Sequence, residues 1–245
     1  MTSSIGTKKE TSLHRDLKFR YAGSGGETEL EVAGYIADCR NAAGDYIEVQ
    51  TGNFGSLRQK AQKLSELGTL RIVYPVVVTK YLEVTDSSGK RLYRRKSPLR
   101  GSLWNLFDEL IYAPDLPLLP RLVIELALVD AAELRVRDGK GSWRRKGTSI
   151  RDRRLITLHE TICLGKPADY LRFIPFAKNE HFTSAALGEK AGITAGSARK
   201  ALYVLTKMGL LEKTGKQGRS ALYRIVYRRK KANLAVKTEK RQKTI

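Results

Sequence analysis

Cysteine and histidine are scarce in this chain, and its acidic side chains are few beside its basic ones. Its 245 residues include two cysteines and three histidines. Cys39 and Cys163 each lie in an apolar, strand-like run, so they read as small core hydrophobes, and neither a disulfide framework nor a zinc site follows from them. His159 and His181 have no cysteine, histidine or acidic partner at ligand spacing. His14 stands beside Arg15 on a helix, where it could help at a phosphate, though a lone histidine reads first as a surface or packing residue. There is no G-x-x-x-x-G-K-[ST] and no G-x-S-x-G, so no nucleotide cofactor and no serine hydrolase of that type are expected. The most apolar stretch, LPLLPRLVIELALVDAA, is broken by Arg121 and Glu125, and MTSSIGTKKETS lacks an apolar signal core. A cytoplasmic protein in a reducing compartment, with no membrane partner, is the expectation.

The scarcity of acids leaves a large charge. Lys and Arg outnumber Asp and Glu 46 to 25, for a formal charge of +21. That surplus attracts polyanions and makes nucleic acid the first partner to consider. It is also uneven: residues 1–80 hold 11 basic against 9 acidic side chains, and residues 181–245 hold 16 against 3. Such asymmetry divides chemistry from anchoring. With 41% hydrophobic residues the chain can still bury a core.

Leu13, Leu17 and Tyr21 recur four apart and predict a helix over 10–22, which YAGSGGET stops. ELEVAG, YIADCR and YIEVQT predict three strands in a bent meander. Leu57, Ala61, Leu64 and Leu67 mark a second amphipathic helix whose other face carries Arg58, Lys60 and Lys63, and RIVYPVVV predicts a buried strand. A hairpin YLEV-TDSSGK-RLYR, a helix SLWNLFDELIY and strands LVIELALVD, ELRVRD and RRLITLHETICL extend the same unit. Basic loops at 94–101 and 141–147 lie between them. The expected division is 8–165, 166–228 and a basic, disordered arm at 229–245.

Asp38 ends the second predicted strand, Glu48 lies in the third, and Gln50 follows on the same face by strand alternation. Two carboxylates so placed repel unless a cation joins them, and hard oxygen ligands suit Mg2+, with Mn2+ able to substitute. A cation held by two carboxylates keeps sites for water and a phosphate oxygen, as phosphodiester hydrolysis requires. Gln50 would orient the water, and Lys60 would supply a cation toward the developing charge.

The order helix, three strands, helix, strand, with Asp38, nine residues, then Glu48-Val49-Gln50, resembles the PD-(D/E)XK nuclease superfamily, whose core is αβββαβ. The resemblance covers residues 10–78. It implies that Asp38 and Glu48 bind Mg2+ and that the third motif position contacts the attacking water. Ala37 stands where the family has Pro, and Gln50 where it has Lys. The family often adds an acid on the first helix, for which Glu10 is the best match and Glu29 and Glu31 are rivals.

Residues 182–227 resemble a winged helix-turn-helix. Thr194 is the expected N-cap of its second helix, whose buried stripe is Ala198, Ala201, Leu202, Leu205 and Met208. The resemblance implies that Thr194, Ser197, Arg199, Lys200 and Tyr203 face duplex DNA, with Lys213, Lys216 and Arg219 on the wing. Arg94, Arg95, Lys96, Arg144, Arg145 and Lys146 would grip the backbone.

The sequence therefore predicts an α/β restriction endonuclease-like core with extensions and a C-terminal winged helix. The function expected is a Mg2+-dependent DNA endonuclease, acting as a homodimer because double-strand cutting calls for two sites. A non-catalytic DNA-binding regulator on a degenerate nuclease fold is the alternative.

Overall fold

Thr11, in an extended conformation, accepts the N–H of His14 and opens helix α1 (Ser12–Ala22), which Gly23 closes with a positive φ. The structure is a computed structural model and describes residues 10–145 and 147–226. Strands β1 (Glu27–Val32) and β2 (Tyr35–Arg40) form a tight hairpin through Ala33 and Gly34, both at positive φ. Strand β3 (Tyr46–Val49) pairs antiparallel with β2. Helix α2 (Phe54–Leu67) then carries the chain to β4 (Leu70–Asp86), which runs parallel to β3. The expected succession of helix, three strands, helix and strand is thus present.

Beyond it, strand β5 (Arg91–Lys96) folds back on β4. Strands β6 (Leu122–Arg137) and β7 (Thr148–Leu164) complete a seven-stranded mixed sheet, six strands in the order β1-β2-β3-β4-β6-β7 and β5 paired with β4 off that path. RIVYPVVV and YLEV run on as one strand, and so do LVIELALVD and ELRVRD, where separate strands were expected. Parallel pairing from Leu70↔Leu122 to Asp86↔Arg137, with one irregularity between Val77 and Thr79, holds both long strands together. Pro75 is tolerated because it shares the parity of Val73 and so faces the β3 side, just past the end of β3, where no ladder bond needs its nitrogen.

Two apolar clusters flank the sheet. On one face Leu13, Leu17 and Ala22 of α1 pack on Cys39, Ile47, Val49, Val73, Ala127 and Val129. On the other, Leu57, Ala61 and Leu64 of α2 meet Ile72, Tyr74 and Val76. Two predicted core positions fail. Leu67 is 55% exposed because α2 ends there, and Cys163 is exposed because β7 is the sheet edge, with one flank solvated.

Short helix α3 (Leu106–Leu110) carries the second cluster into the C-terminal segment. Phe107 meets Phe173 edge-on at 4.9 Å, and Leu106, Phe107 and Leu110 belong to the same core as Ala198, Ala201, Leu202 and Leu205. Those alanines and leucines lie on helix α5 (Ala195–Lys207), which follows helix α4 (Ser184–Ala191) through a turn at Gly192 in the left-handed region. The antiparallel pair β8 (Leu211–Gln217) and β9 (Ser220–Ile225) follows. Lys146 and the arm at 229–245 lie outside the described residues. Among the described residues no helix is long and apolar enough to cross a membrane.

Candidate active site

Strands β2 and β3 separate where the candidate carboxylates begin. Their ladder consists of Cys39↔Ile47 and Arg40↔Tyr46, and the next pair, Asp38 and Glu48, is not joined by it. The backbone groups released by the fork are satisfied by side chains instead. The N–H of Asp38 donates to Glu48 Oε1 at 3.2 Å, and the N–H of Val49 donates to Asp38 Oδ2 at 2.8 Å. This exchange holds both carboxylates at the same opening and supplies what an opened sheet must provide for its backbone.

Each helix adds a cation from its own side. Lys60 of α2 donates to Glu48 Oε2 at 2.6 Å. From α1, His14 Nε2 lies 3.2 Å from Asp38 Oδ2 while its Nδ1 lies 2.6 Å from Glu10 Oε1. Lys18, one turn further on, is buried between Glu10 and Glu29 at 3.0 and 2.9 Å. Glu10, His14 and Lys18 recur every four residues, a polar stripe beside the apolar one of Leu13 and Leu17. Helix α1 is held in this pose by Ser12, which donates to Asp152 of β7, and by Tyr21, whose hydroxyl donates to Glu125 of β6 at 2.5 Å.

Glu48 is 3% exposed. Burial, and then the negative charge of Asp38, push its carboxyl up to about 7 against the pull of Lys60. Burial would also raise Asp38, but the hydrogen bond and charge of His14, the Val49 N–H and Lys60 outweigh it and hold Asp38 below its ordinary value. The like-charged pair thus divides unevenly, one member ionised and the other easily protonated. His14 is the reverse case: burial opposes its charge, and Asp38 and Glu10 together raise its affinity for the proton.

Asp38, Glu48, Lys60 and Glu10 are therefore brought together, while Gln50 is engaged elsewhere. Strand β3 ends at Val49, and the Gln50 amide donates to the carbonyls of Gly52 and Asn53, closing the turn into α2. Of the rival acids, Glu29 reaches the site's edge through Lys18, and Glu31 is exposed on β1. A lone histidine such as His14 reads first as a surface or packing residue, and Lys18 has no signal in the sequence beyond the four-residue repeat from Glu10. Among the described residues no group of three or more His, Cys, Asp and Glu side chains is disposed to hold a metal.

The basic residues form two surfaces. Arg94, Arg95 and Lys96 are exposed on β5, with Arg94 over the Tyr81 ring and paired with Glu83. Arg144 and Arg145 cap the β6–β7 connection. On α5 the Thr194 hydroxyl accepts the Ser197 N–H as the expected cap, and Arg199, Tyr203 and Lys207 share an exposed face. Lys200 instead reaches back to Asp108 of α3 at 2.7 Å. Lys213, Lys216 and Arg219 are exposed on the β8–β9 hairpin.

Fold and site together define a mixed α/β protein with a carboxylate cluster, braced by lysine and histidine, at a fork in its sheet. The chain belongs to the family described as Domain of unknown function (DUF8091), which matches residues 11–165 and so takes in His14, Asp38, Glu48 and Lys60. It is similar to a protein of Treponema pallidum (strain Nichols) described as uncharacterized, 30% identical over 220 residues that span 90% of this chain and 87% of the relative. No solved structure matches it.

Proposed function

We propose that the protein is a Mg2+-dependent DNA endonuclease of the PD-(D/E)XK type. The observation that carries this reading is the fork itself: Asp38 and Glu48 side by side, with Lys60 on Glu48, within the order helix, three strands, helix, parallel strand. The donor set fits a hard dication. Its candidate ligands, the carboxylates of Asp38 and Glu48, are oxygens, and burial followed by the charge of Asp38 pushes Glu48 up to about 7, a cost to its ionised form that a bound cation would offset. Two protein carboxylates are also the number with which Mg2+ is commonly held beside substrate phosphates.

When bound there, Mg2+ would lower the pKa of a coordinated water and neutralise a phosphate oxygen. Lys60, which donates to Glu48, would be the chain's own cation for the phosphate or its water, the task that the PD-(D/E)XK superfamily gives to the lysine for which Gln50 stands here. His14 keeps Asp38 ionised and aimed into the fork, and Glu10 orients the imidazole through its other nitrogen. Gln50 shapes the turn that brings α2, and Lys60 with it, to the site.

The helix pair and hairpin of 182–226 support a winged-helix reading, with Arg199, Tyr203 and Lys207 toward duplex DNA and the hairpin lysines toward phosphate. Lys200, tied to Asp108, is withdrawn from that face. Cutting both strands of a duplex requires two such sites and hence a homodimer.

Cleavage of supercoiled plasmid by the wild type and by Glu48→Ala, with Mg2+, Mn2+ or EDTA, tests the proposal. Metal-dependent nicking or linearisation that Glu48→Ala loses while remaining folded supports it. Folded wild type that binds plasmid equally with Mg2+ and EDTA and never cuts would transfer the protein to the non-catalytic regulators.

A further inference from the structure

A trough on the α1 side of the sheet runs along β4, β6 and β7. Its inner part, a cavity of about 240 Å3, begins at Leu13 and Thr51, neighbours of His14 and Gln50, and passes Lys80, Arg100 and Arg153. An outer cavity of about 440 Å3 shares Lys80, Leu99, Glu133 and Arg153 with it and reaches Arg95, Arg135, Arg144 and Arg145. Together the described lining holds seven basic side chains and one carboxylate.

That carboxylate, Glu133, is 3% exposed and works as a brace. Arg135 Nε donates to it at 2.8 Å and Arg153 Nε at 3.2 Å. Two guanidinium groups that would otherwise repel are thereby fixed side by side, leaving donors for another anion. Burial would raise Glu133, but the hydrogen bond of Arg135 and the charges of Lys80, Arg135 and Arg153 hold it below its ordinary value, so the brace is ionised at neutral pH.

At the outer end stands Trp143, 83% exposed, with the Arg144 guanidinium 5.5 Å from its ring centroid. A large aromatic ring left in water among arginines has no packing role in the fold. Beside a cationic wall it is a stacking platform for a base. Bases in a duplex are already stacked and paired, so they offer this ring no face along the helix, whereas each base of a single strand does. The outer cavity, at about 440 Å3, also has room for a group of nucleotide size.

We propose that this trough binds single-stranded DNA, with phosphates along the arginine wall, a base on Trp143 and the strand directed toward Asp38 and Glu48. The inference rests on the nuclease reading and narrows its substrate to DNA that carries an unpaired strand next to the duplex held by α5. From Pro75 to Leu82 the wall spans roughly 23 Å at about 3.3 Å per residue, enough for several nucleotides.

The test is binding of a labelled oligothymidylate, and of a labelled duplex, to the full-length protein in EDTA. Trp143→Ala should weaken the single strand roughly tenfold and Trp143→Phe should restore most of the loss. Replacing Arg144 and Arg145 with Gln should flatten the salt dependence of that binding by about 1.4 in slope, at about 0.7 per phosphate. Duplex affinity should stay within about twofold in both Trp143 variants, because the proposed duplex contacts lie on α5 and the hairpin. Unchanged oligothymidylate binding by Trp143→Ala, an equal loss for the duplex, or tighter binding of oligouridylate than of oligothymidylate would overturn the assignment. Since EDTA removes cleavage from the assay, a failed nuclease reading leaves this result standing, and plasmid cleavage with unaltered single-strand binding would discard the trough alone.

Discussion

Replacing Glu48 by Gln should make the protein more stable, at the expense of its proposed chemistry. The carboxyl is buried, faces Asp38, and titrates at about 7 in place of the ordinary 4.5. At about 1.4 kcal/mol per unit, that difference is a cost of roughly 3 kcal/mol to the folded state wherever Glu48 must be ionised. The attraction of Lys60 is already contained in the net shift. Below 4.5 both folded and unfolded chains hold the proton and the cost is absent. Between 4.5 and 7 the unfolded chain ionises first, binds fewer protons than the folded one, and stability falls as pH rises. Above 7 the whole cost is present. Glu48→Gln lacks this term, so near pH 8 in EDTA it should melt roughly 6–12 °C above the wild type, and the advantage should vanish near pH 4. Calorimetry across that range checks both. Equal melting temperatures near pH 8, or a gain of the same size near pH 4, would refute the argument from ionisation.

Mg2+ at a hundredfold excess over its Kd should stabilise the wild type near pH 8 by about 2.7 kcal/mol and Glu48→Gln much less, read as the shift in melting temperature on adding EDTA. Lys60→Met should lower metal-dependent plasmid cleavage by about two to three orders of magnitude, while the metal-induced melting shift survives. The imidazole of His14 should titrate above an ordinary histidine by NMR and move down in Asp38→Asn. Its stabilising contribution is therefore complete below the unfolded value and disappears as pH rises through the folded one. Phe107→Ala should cost about 3–5 kcal/mol and leave one calorimetric transition, because its ring belongs to the core that α5 shares with the sheet.

The sequence by itself determined the elements that local chemistry dictates. The stripe of Leu57, Ala61 and Leu64 specifies α2 because a helix brings residues three and four apart onto one face. Thr194 specifies the start of α5 because its hydroxyl accepts the Ser197 N–H. The spacing of Asp38 and Glu48 was enough to nominate the pair, since antiparallel neighbours across a short turn come together whatever the rest of the chain does. Only the tertiary structure decided how the site is completed. Gln50 lies two residues from Glu48 in the chain yet turns to its own loop, whereas His14 and Lys60, 24 residues before Asp38 and 12 after Glu48, arrive from opposite faces of the sheet. Strand lengths were settled the same way. β4 and β6 continue through their weak signals because each supplies the other's backbone partners over their full length, and Cys163 is exposed because its strand is the last in the sheet. Periodicity records what a residue prefers among its near neighbours. Which carboxylate finds which cation, and which strand is left without a neighbour, depends on contacts between distant segments that only the packed fold brings together.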